Sequence, residues 1–553
     1  MRPVAAAVNA VWWASSAPGW WRFERALRQP GLVQRRRLAA YLRANAGTVF
    51  GRQHRFCEIR TIRAYQDAVP LTTYDDYRPY VERIAAGDGN VLTRSPVRVL
   101  EPTGGSTSAA KLIPFTSDLR REFTAAVAPW VFTLLRSDPS LLGGPAYWSI
   151  TPSLRAPGPQ EPTVRIGFED DARYLGGPLA HLLRRALVVP PEIARLQDLD
   201  AFRRVTALLL LACADLRLIS VWHPSFLSLL AETIRRDWHL LTEAIHGGAL
   251  PPTLCGAPEV AAALRQRLRP DPRRAAWLES VGPHAVGHLW PRLGLISCWA
   301  DGHAAAATEA LRREFPRTRI QPKGLLSTEA CVTLPRHGAH VLAIRSHFFE
   351  FLDDRGEARL AHELERGGTY SVLVTTGGGL YRYRLEDRVE ATGWAGETPT
   401  LRFVGREGHV ADRFGEKLHA GFVAERLRRV LEGVRARFAM LAPESEESAV
   451  FYVLYIEATH GVPRELGRSL EGALRENPHY RYCVELGQLR PLRVFRLSGG
   501  GYESYVERCV RDGQRLGDVK PVPLDTRTRW SDWFCGGYVD EPGEPRRREV
   551  LTI

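Results

Sequence analysis

Hydrophobic residues along this chain follow two alternating periods. A spacing of about three to four residues predicts amphipathic helices over 118–136, 198–215, 225–245, 258–268 and 303–314. Between them, short runs of branched and aromatic residues predict strands at Ala146 to Ile150, Leu218 to Val221, Leu293 to Trp299 and Val341 to Ile344. The first hundred residues read as helices and turns, with Thr73 or Asp75 capping a helix inside V69-P-L-T-T-Y-D-D-Y-R-P-Y-V-E-R83. From residue 370 the texture becomes that of consecutive strands: Tyr370 to Thr376, Leu380 to Arg384, Arg388 to Trp394 and Leu401 to Val404. A polar, glycine-containing stretch then precedes a different module, with helices predicted at 420–436, 463–475 and 502–511 and strands at 450–457 and 490–497.

This alternation predicts an α/β protein. The expected architecture is a large amino-terminal domain (1–404) of helix-covered β-sheets plus a β-barrel-like part, followed by a small mobile α+β domain (405–553) with its hinge at about 405–412. A chain of 553 residues with 44% hydrophobic and 25% charged residues has the composition of a folded globular protein. The longest apolar run, Val205 to Ala214, is too short to span a bilayer and is followed by Asp215 and Arg217, so no membrane insertion is expected. Residues 3–13 faintly imitate a secretory signal, but Trp12, Trp13, Trp20 and Trp21 suit a packed helix better.

The eight cysteines are widely separated and form no CxxC pair, which suggests neither a zinc site nor a disulfide framework and implies a reducing cytoplasm. A net charge of +13 raises nucleic acid as a partner. The arginines are spread along the whole chain, in short clusters such as Arg35 to Arg37, without an interleaved aromatic platform, so no nucleic acid partner is expected. The positive field still favours gathering an anionic substrate.

Of the 75 Lys and Arg residues only four are lysines: Lys111, Lys323, Lys417 and Lys520. A compact ammonium cannot be replaced by a planar guanidinium where a phosphate or a reacting oxygen needs a point charge, so each surviving lysine marks candidate chemistry. Lys111 closes E101-P-T-G-G-S-T-S-A-A-K111, where adjacent glycines and the hydroxyls of Ser106, Thr107 and Ser108 outline a phosphate cradle. The string is neither a Walker loop nor a nucleophile elbow, and a plain Gly/Ser turn is the alternative. Lys323 opens K323-G-L-L-S-T-E-A330, in which Thr328 can meet a phosphate and Glu329 can hold Mg²⁺, or the segment can simply cap a helix. In Y381-R-Y-R-L-E-D-R388, Asp387 in a tight turn between strands can accept a ribose, and Arg406 can neutralise a phosphate. Lys520 projects from a Gly-x-x-Lys-Pro turn in the last module. No H-E-x-x-H supports a metalloprotease, and no G-x-G-x-x-G after a strand supports hydride transfer.

In this order the four segments resemble the adenylate-forming superfamily, and more narrowly the Gretchen Hagen family of acyl-acid amido synthetases. The strings that carry the resemblance are V69-P-L-T-T-Y-D-D-Y, L325-L-S-T-E329, H347-F-F-E-F351, G379-L-Y-R-Y-R-L-E-D387 and F403-V-G-R406. The resemblance implies that ATP and a small carboxylic acid give acyl-AMP, which an amine, usually an amino acid, converts to an amide. Carried over by position, it implies that Ser106, Thr107, Ser108 and Lys111 bind phosphates and that Thr328 and Glu329 serve phosphate and Mg²⁺. Asp387 would hold the ribose, Arg406 would support the nucleotide, and Lys520 would be the mobile catalytic lysine.

Three positions depart from the family pattern. Leu325 and Leu326 replace a Tyr-Gly, Glu386 replaces a Gly, and the loop 105–110 is one residue shorter than in plant members. The acid pocket has no motif; Trp222 to Phe226 and Phe348 to Phe351 are its candidate lining. A thioester ligase sharing the first step, and an inactive basic binding protein on the same scaffold, are the alternatives.

Overall fold

Local capping chemistry sets several of the helix starts. The Thr116 hydroxyl accepts from the Leu119 N–H at 3.1 Å and opens the helix Ser117–Ser137. Asp198 does the same for Leu199–Ala212, and the Asp76 carboxylate reaches back 2.7 Å to the Thr73 N–H at the start of Tyr74–Ala85. The apolar stripe expected over 225–245 belongs to two helices, Pro224–Arg236 and Trp238–Gly247. They break at Asp237, whose carboxylate accepts from Arg204 at 2.8 Å and from Arg236 at 2.9 Å.

The computed structural model describes residues 2–103, 111–150, 164–166, 181–196, 198–249, 258–301, 304–406, 410–411, 413–414, 416, 418–446, 449–485, 488–512, 514, 516 and 519–539. They form a mixed α/β structure of two compact units, one of residues 1–385 with 389–403 and one of residues 386–388 with 404–553. Among the described residues no helix is long and apolar enough to cross a membrane.

In the first unit, β1 (Val99–Thr103) and β2 (Lys111–Phe115) pair antiparallel. Strand β3 (Ala146–Trp148) opens a second sheet, while the short β4 (Arg165–Ile166) returns to run parallel to β1. Strands β5 (Leu218–Ser220), β6 (Leu295–Cys298) and β7 (Arg319–Pro322) complete the second sheet in the order β3-β5-β6-β7, all parallel. The inner strand β6 is buried along its whole length, whereas β7 at the edge is exposed at Arg319 and half-buried beyond it. A third sheet holds β8 (Thr333–Arg336), β9 (Ala339–Leu342), β10 (Phe348–Leu352), β11 (Ala358–Arg359), β12 (Thr369–Thr375), β13 (Tyr383–Ala395) and β14 (Thr398–Arg406). Its order is β11-β10-β12-β13-β14-β9-β8. Leu380 to Arg384 and Arg388 to Trp394, expected as separate strands, fall mostly within the single strand β13, with residues 380–382 leading into it.

The second unit is built on a sheet of Ala436–Glu446, Ala449–Ala458, Arg490–Leu497 and Gly536–Tyr538. The helix expected to reach 436 stops at Val430, and Ala436–Glu446 is a strand that sequence reasoning missed. Its period was hidden because both faces are covered. Phe438, Met440 and Ala442 pack into one core and Leu441 into another, so no polar residue alternates with the apolar ones.

One glycine joins elements of the first unit at close range. The Gly377 N–H donates to both oxygens of the buried Glu122 carboxylate, at 3.0 and 2.9 Å, and its carbonyl accepts from Thr116. A Cβ at position 377 would lie 2.6 Å from Glu122 Oε1 and 2.8 Å from Asp118 Cβ. Gly377→Ala is therefore expected to cost roughly 1–3 kcal/mol through overpacking, read as a lower urea midpoint, whereas Ala at the open, mid-helix Gly472 is expected to raise the midpoint slightly.

Candidate functional site

Strand β7 runs into a tight loop that carries Thr328 and Glu329. Gly324 takes a left-handed φ of +82°, and a Cβ there would lie 2.7 Å from Thr333 Oγ1. Leu325 N–H donates to Thr333 Oγ1 at 2.8 Å, Val332 N–H to the Leu325 carbonyl at 2.9 Å, and Ser327 N–H to the Ala330 carbonyl at 2.9 Å. The backbone on both sides of Thr328 and Glu329 is thus pinned. Their own side chains make no hydrogen bond or ion pair with any other described residue. A rigid turn presenting an uncommitted hydroxyl and carboxylate is what a binding site requires.

A buried polar chain holds this loop from behind. Cys331 N–H donates to His347 Nε2 at 3.1 Å, and His347 Nδ1 meets Glu122 Oε2 at 2.9 Å. Because Nε2 accepts, the imidazole carries its proton on Nδ1 and donates it to the carboxylate. Glu122 also accepts from the Tyr41 hydroxyl at 2.6 Å, with the Arg37 guanidinium 3.9 Å away. Burial, and then the Glu122 charge, push the Tyr41 pKa up and keep that hydroxyl a donor.

A second cluster fixes the segment before β13. Arg382, at a φ of +48°, donates from Nε to Glu350 at 3.2 Å and from Nη1 to the Gln66 and Val69 carbonyls, each at 2.8 Å. Thr72 and Tyr77 hydroxyls donate to the Tyr381 carbonyl at 2.8 and 3.0 Å. Burial pushes the Glu350 carboxyl up and the Arg382 charge pulls it down. V69-P-L-T-T-Y-D-D-Y, H347-F-F-E-F351 and Y381-R-Y-R are thereby bonded to one another. Phe348, Phe349 and Phe351 are fully buried in the same core and do not line a pocket.

The remaining candidates are distributed as follows. Lys111 begins β2 opposite Thr103, and Ser106, Thr107 and Ser108, expected to cradle phosphates, lie outside the described residues. Asp387 does not occupy a turn. It lies inside β13 on the inward row with Leu385 and Val389, 7% exposed, next to Glu386 at a φ of +63°. Arg406 ends β14, and its side chain is outside the described residues. Lys520 belongs to the second unit, where its carbonyl accepts from the Tyr505 hydroxyl at 3.2 Å. Its segment is stitched to Ala436–Glu446 through Leu441 N–H to the Pro523 carbonyl and Asp525 N–H to the Leu441 carbonyl, at 2.8 and 2.9 Å.

Sequence reasoning missed Glu122, His347 and Tyr41 as positioning groups. The available signal was an acid on the apolar face of a helix, between Leu119, Phe123 and Ala126. Among the described residues no three His, Cys, Asp or Glu side chains are grouped as a cation site. No disulfide joins the described cysteines.

Residues 21–320 match the GH3 family N-terminal domain, 340–406 the GH3 family central domain and 422–527 the GH3 family C-terminal domain. The chain is 25% identical over 548 residues to the indole-3-acetic acid-amido synthetase GH3.8 of Oryza sativa subsp. indica, covering 88% of this chain and 87% of that protein. It is 23% identical to the jasmonoyl–L-amino acid synthetase JAR6 of Nicotiana attenuata over 69% of this chain and 70% of that one. Among solved structures it resembles the AtGH3.15 acyl acid amido synthetase in complex with 2,4-DB, with a TM-score of 0.82 at 19% identity, covering 93% and 94% of the two chains.

His347→Ala would leave the Cys331 N–H and the Glu122 carboxylate short of a partner inside the core. The expected cost is about 1–3 kcal/mol for each unsatisfied group, with faster hydrogen exchange at the Ala330 and Cys331 amides than at β6. Unchanged exchange at these two amides would show that the imidazole does not brace the loop.

Proposed function

Because the chain belongs to the GH3 family, its first domain model alone spanning more than half of the sequence, we propose that it is an ATP-dependent acyl-acid amido synthetase. The observation that carries the reading is the loop at Thr328 and Glu329, rigid in its backbone and uncommitted in its side chains. In the first step a carboxylate oxygen of the acid attacks the α-phosphorus of ATP, the α–β bridging bond breaks, and pyrophosphate leaves. In the second an amine nitrogen, most simply that of an amino acid, attacks the acyl carbon, losing a proton as AMP departs.

Each candidate has a part in this scheme. Thr328 donates to a phosphate oxygen. Ser106, Thr107, Ser108 and Lys111 cradle the phosphates, Asp387 accepts the ribose hydroxyls, and Arg406 supports the nucleotide. Lys520 neutralises the charge that builds between carboxylate and α-phosphate, which helps only as the bond forms. The small domain, 405–553, turns about 405–412 between the half-reactions.

Glu329 would hold Mg²⁺. A single carboxylate suits an ion that takes one or two protein oxygens and completes its shell with phosphate and water. The ion supplies charge neutralisation on the phosphates. A reducing cytoplasm suits the described cysteines, which form no disulfide.

Pyrophosphate release from ATP, with a panel of carboxylic acids, tests the reading; amino acids and CoA are then added separately. Acid-dependent release accelerated by an amino acid is expected; acceleration by CoA alone would make the protein a thioester ligase, and acid-independent ATP consumption would refute both. Lys520→Ala is expected to lower acyl-AMP formation at least a hundredfold, about 2.7 kcal/mol, with ATP affinity within twofold of the parent. Glu329→Gln is expected to raise the Mg²⁺ concentration needed for half-maximal rate.

A further inference from the structure

The scheme above leaves two lysines unused, Lys323 and Lys417, and of these Lys323 is among the described residues. It prolongs the parallel sheet by one residue, its backbone N–H donating to the Cys298 carbonyl at 3.0 Å. In open parallel sheets ligands bind beyond the carboxyl ends of the strands, where loops diverge. The Lys323 side chain reaches from the end of β7 past β6 to β5, and Nζ donates to Ser220 Oγ at 2.7 Å. The same ammonium lies 4.9 Å from the centre of the Trp222 ring.

Beneath it runs a polar row. Ser220 is in register with Ser297, and Ser297 with Gln321. Side chains at matched positions of neighbouring strands share one face. That face lies against the helix Ser117–Ser137, because Gln321 accepts from the Trp130 indole at 2.8 Å and Leu295, two residues before Ser297, packs with Val131 and Leu134. Ser297 is fully buried, and its hydroxyl has no hydrogen-bond partner among the described residues. An interior built only for packing would fill this row with aliphatic side chains, since each buried hydroxyl left unpaired costs stability. Trp148, Trp222 and Trp299 stand at the carboxyl ends of β3, β5 and β6, and all three are half-buried.

We propose that Lys323, seated on Ser220, binds the carboxylate of the acid substrate before adenylation, and that the tryptophans at the strand ends favour acids with a flat aromatic body. This rests on the synthetase reading above. Lys323 stands five residues before Thr328 in the sequence, at most ~17 Å of extended chain and less through the turn. A carboxylate on Lys323 is therefore delivered beside the groups assigned to the phosphates. As the carboxylate oxygen bonds to the α-phosphorus and pyrophosphate leaves, the acid loses its negative charge, so Lys323 holds the free acid more strongly than the acyl-AMP. Its loss should then act on acid binding rather than on turnover.

The experiment measures pyrophosphate release with benzoate, indole-3-acetate and octanoate for the parent, Lys323→Met, Lys323→Arg and Ser220→Ala. Lys323→Met is expected to raise the acid KM at least tenfold, with the ATP KM within twofold and kcat within threefold. Lys323→Arg, which keeps charge and stem volume, is expected to fall between. The parent is expected to prefer both aromatic acids to octanoate. An unchanged acid KM in Lys323→Met, or a parallel rise in the ATP KM, overturns the carboxylate assignment; a preference for octanoate overturns the aromatic one. If the parent releases no pyrophosphate with any acid, the synthetase reading fails. Saturation-transfer NMR of benzoate with the full chain, without ATP, then decides the site alone: a signal lost in Lys323→Met upholds it, and no signal in the parent ends it.

Discussion

The first unit depends on one carboxylate. Glu122, on a helix whose neighbouring residues are apolar, gathers the Tyr41 hydroxyl, the His347 imidazole and the Gly377 amide around two oxygens. Hydrogen bonds to a charged acceptor are each worth about 1.5–3 kcal/mol, but burying the charge costs several, so the arrangement stabilises only when all donors are present. Its value is specificity of position. Through His347 it sets the Cys331 amide, and through Gly377 it sets the chain between β12 and β13. The Thr328–Glu329 turn is therefore placed by a side chain some two hundred residues earlier in sequence.

A second ion pair does related work at a different point. Arg382 and Glu350 are both buried, and the guanidinium spends its other donors on the carbonyls of residues 66 and 69. Arginine suits this role because its fork satisfies several acceptors at fixed angles, where an ammonium would satisfy them without fixing direction. Three strings that the family resemblance rests on turn out to be partners in this clamp. In this chain the three strings are bonded to one another inside the core of the first unit.

The legibility of the sequence follows from the same physics. The α/β class, three of the four short parallel strands (β3, β5 and β6) and the position of the second unit's helix Gly501–Arg511 were readable from their apolar patterns, whereas β7, an Arg-Ile-Gln-Pro stretch with no apolar run, was not. Ala436–Glu446 was not, since its two faces enter two cores. Asp387 was misplaced because a Leu-Glu-Asp triplet reads as a turn, and only the fold shows that Leu385 and Asp387 point inward from one strand. Thr328 and Glu329 were legible as a motif, whereas Glu122 went unread, because an acid in a helix usually faces water and its one local signal was its place on the apolar face with Leu119, Phe123 and Ala126.

Glu386 shows how a departure from the family pattern is accommodated. It stands where a Gly is usual and takes a φ of +63°, a conformation that costs a side-chain-bearing residue roughly 1–2 kcal/mol. Arg382, four residues earlier, takes a φ of +48° and is held there by its guanidinium bonds, by its N–H to Thr375 at 3.1 Å and by Thr72 N–H on its carbonyl. Strain of this kind persists only where surrounding bonds over-determine the backbone. The left-handed residue directly before Asp387 is then best understood as a backbone requirement of β13 at this point. The chain adopts the conformation without a glycine, and with it Asp387 stays on the inward row beside Leu385 and Val389.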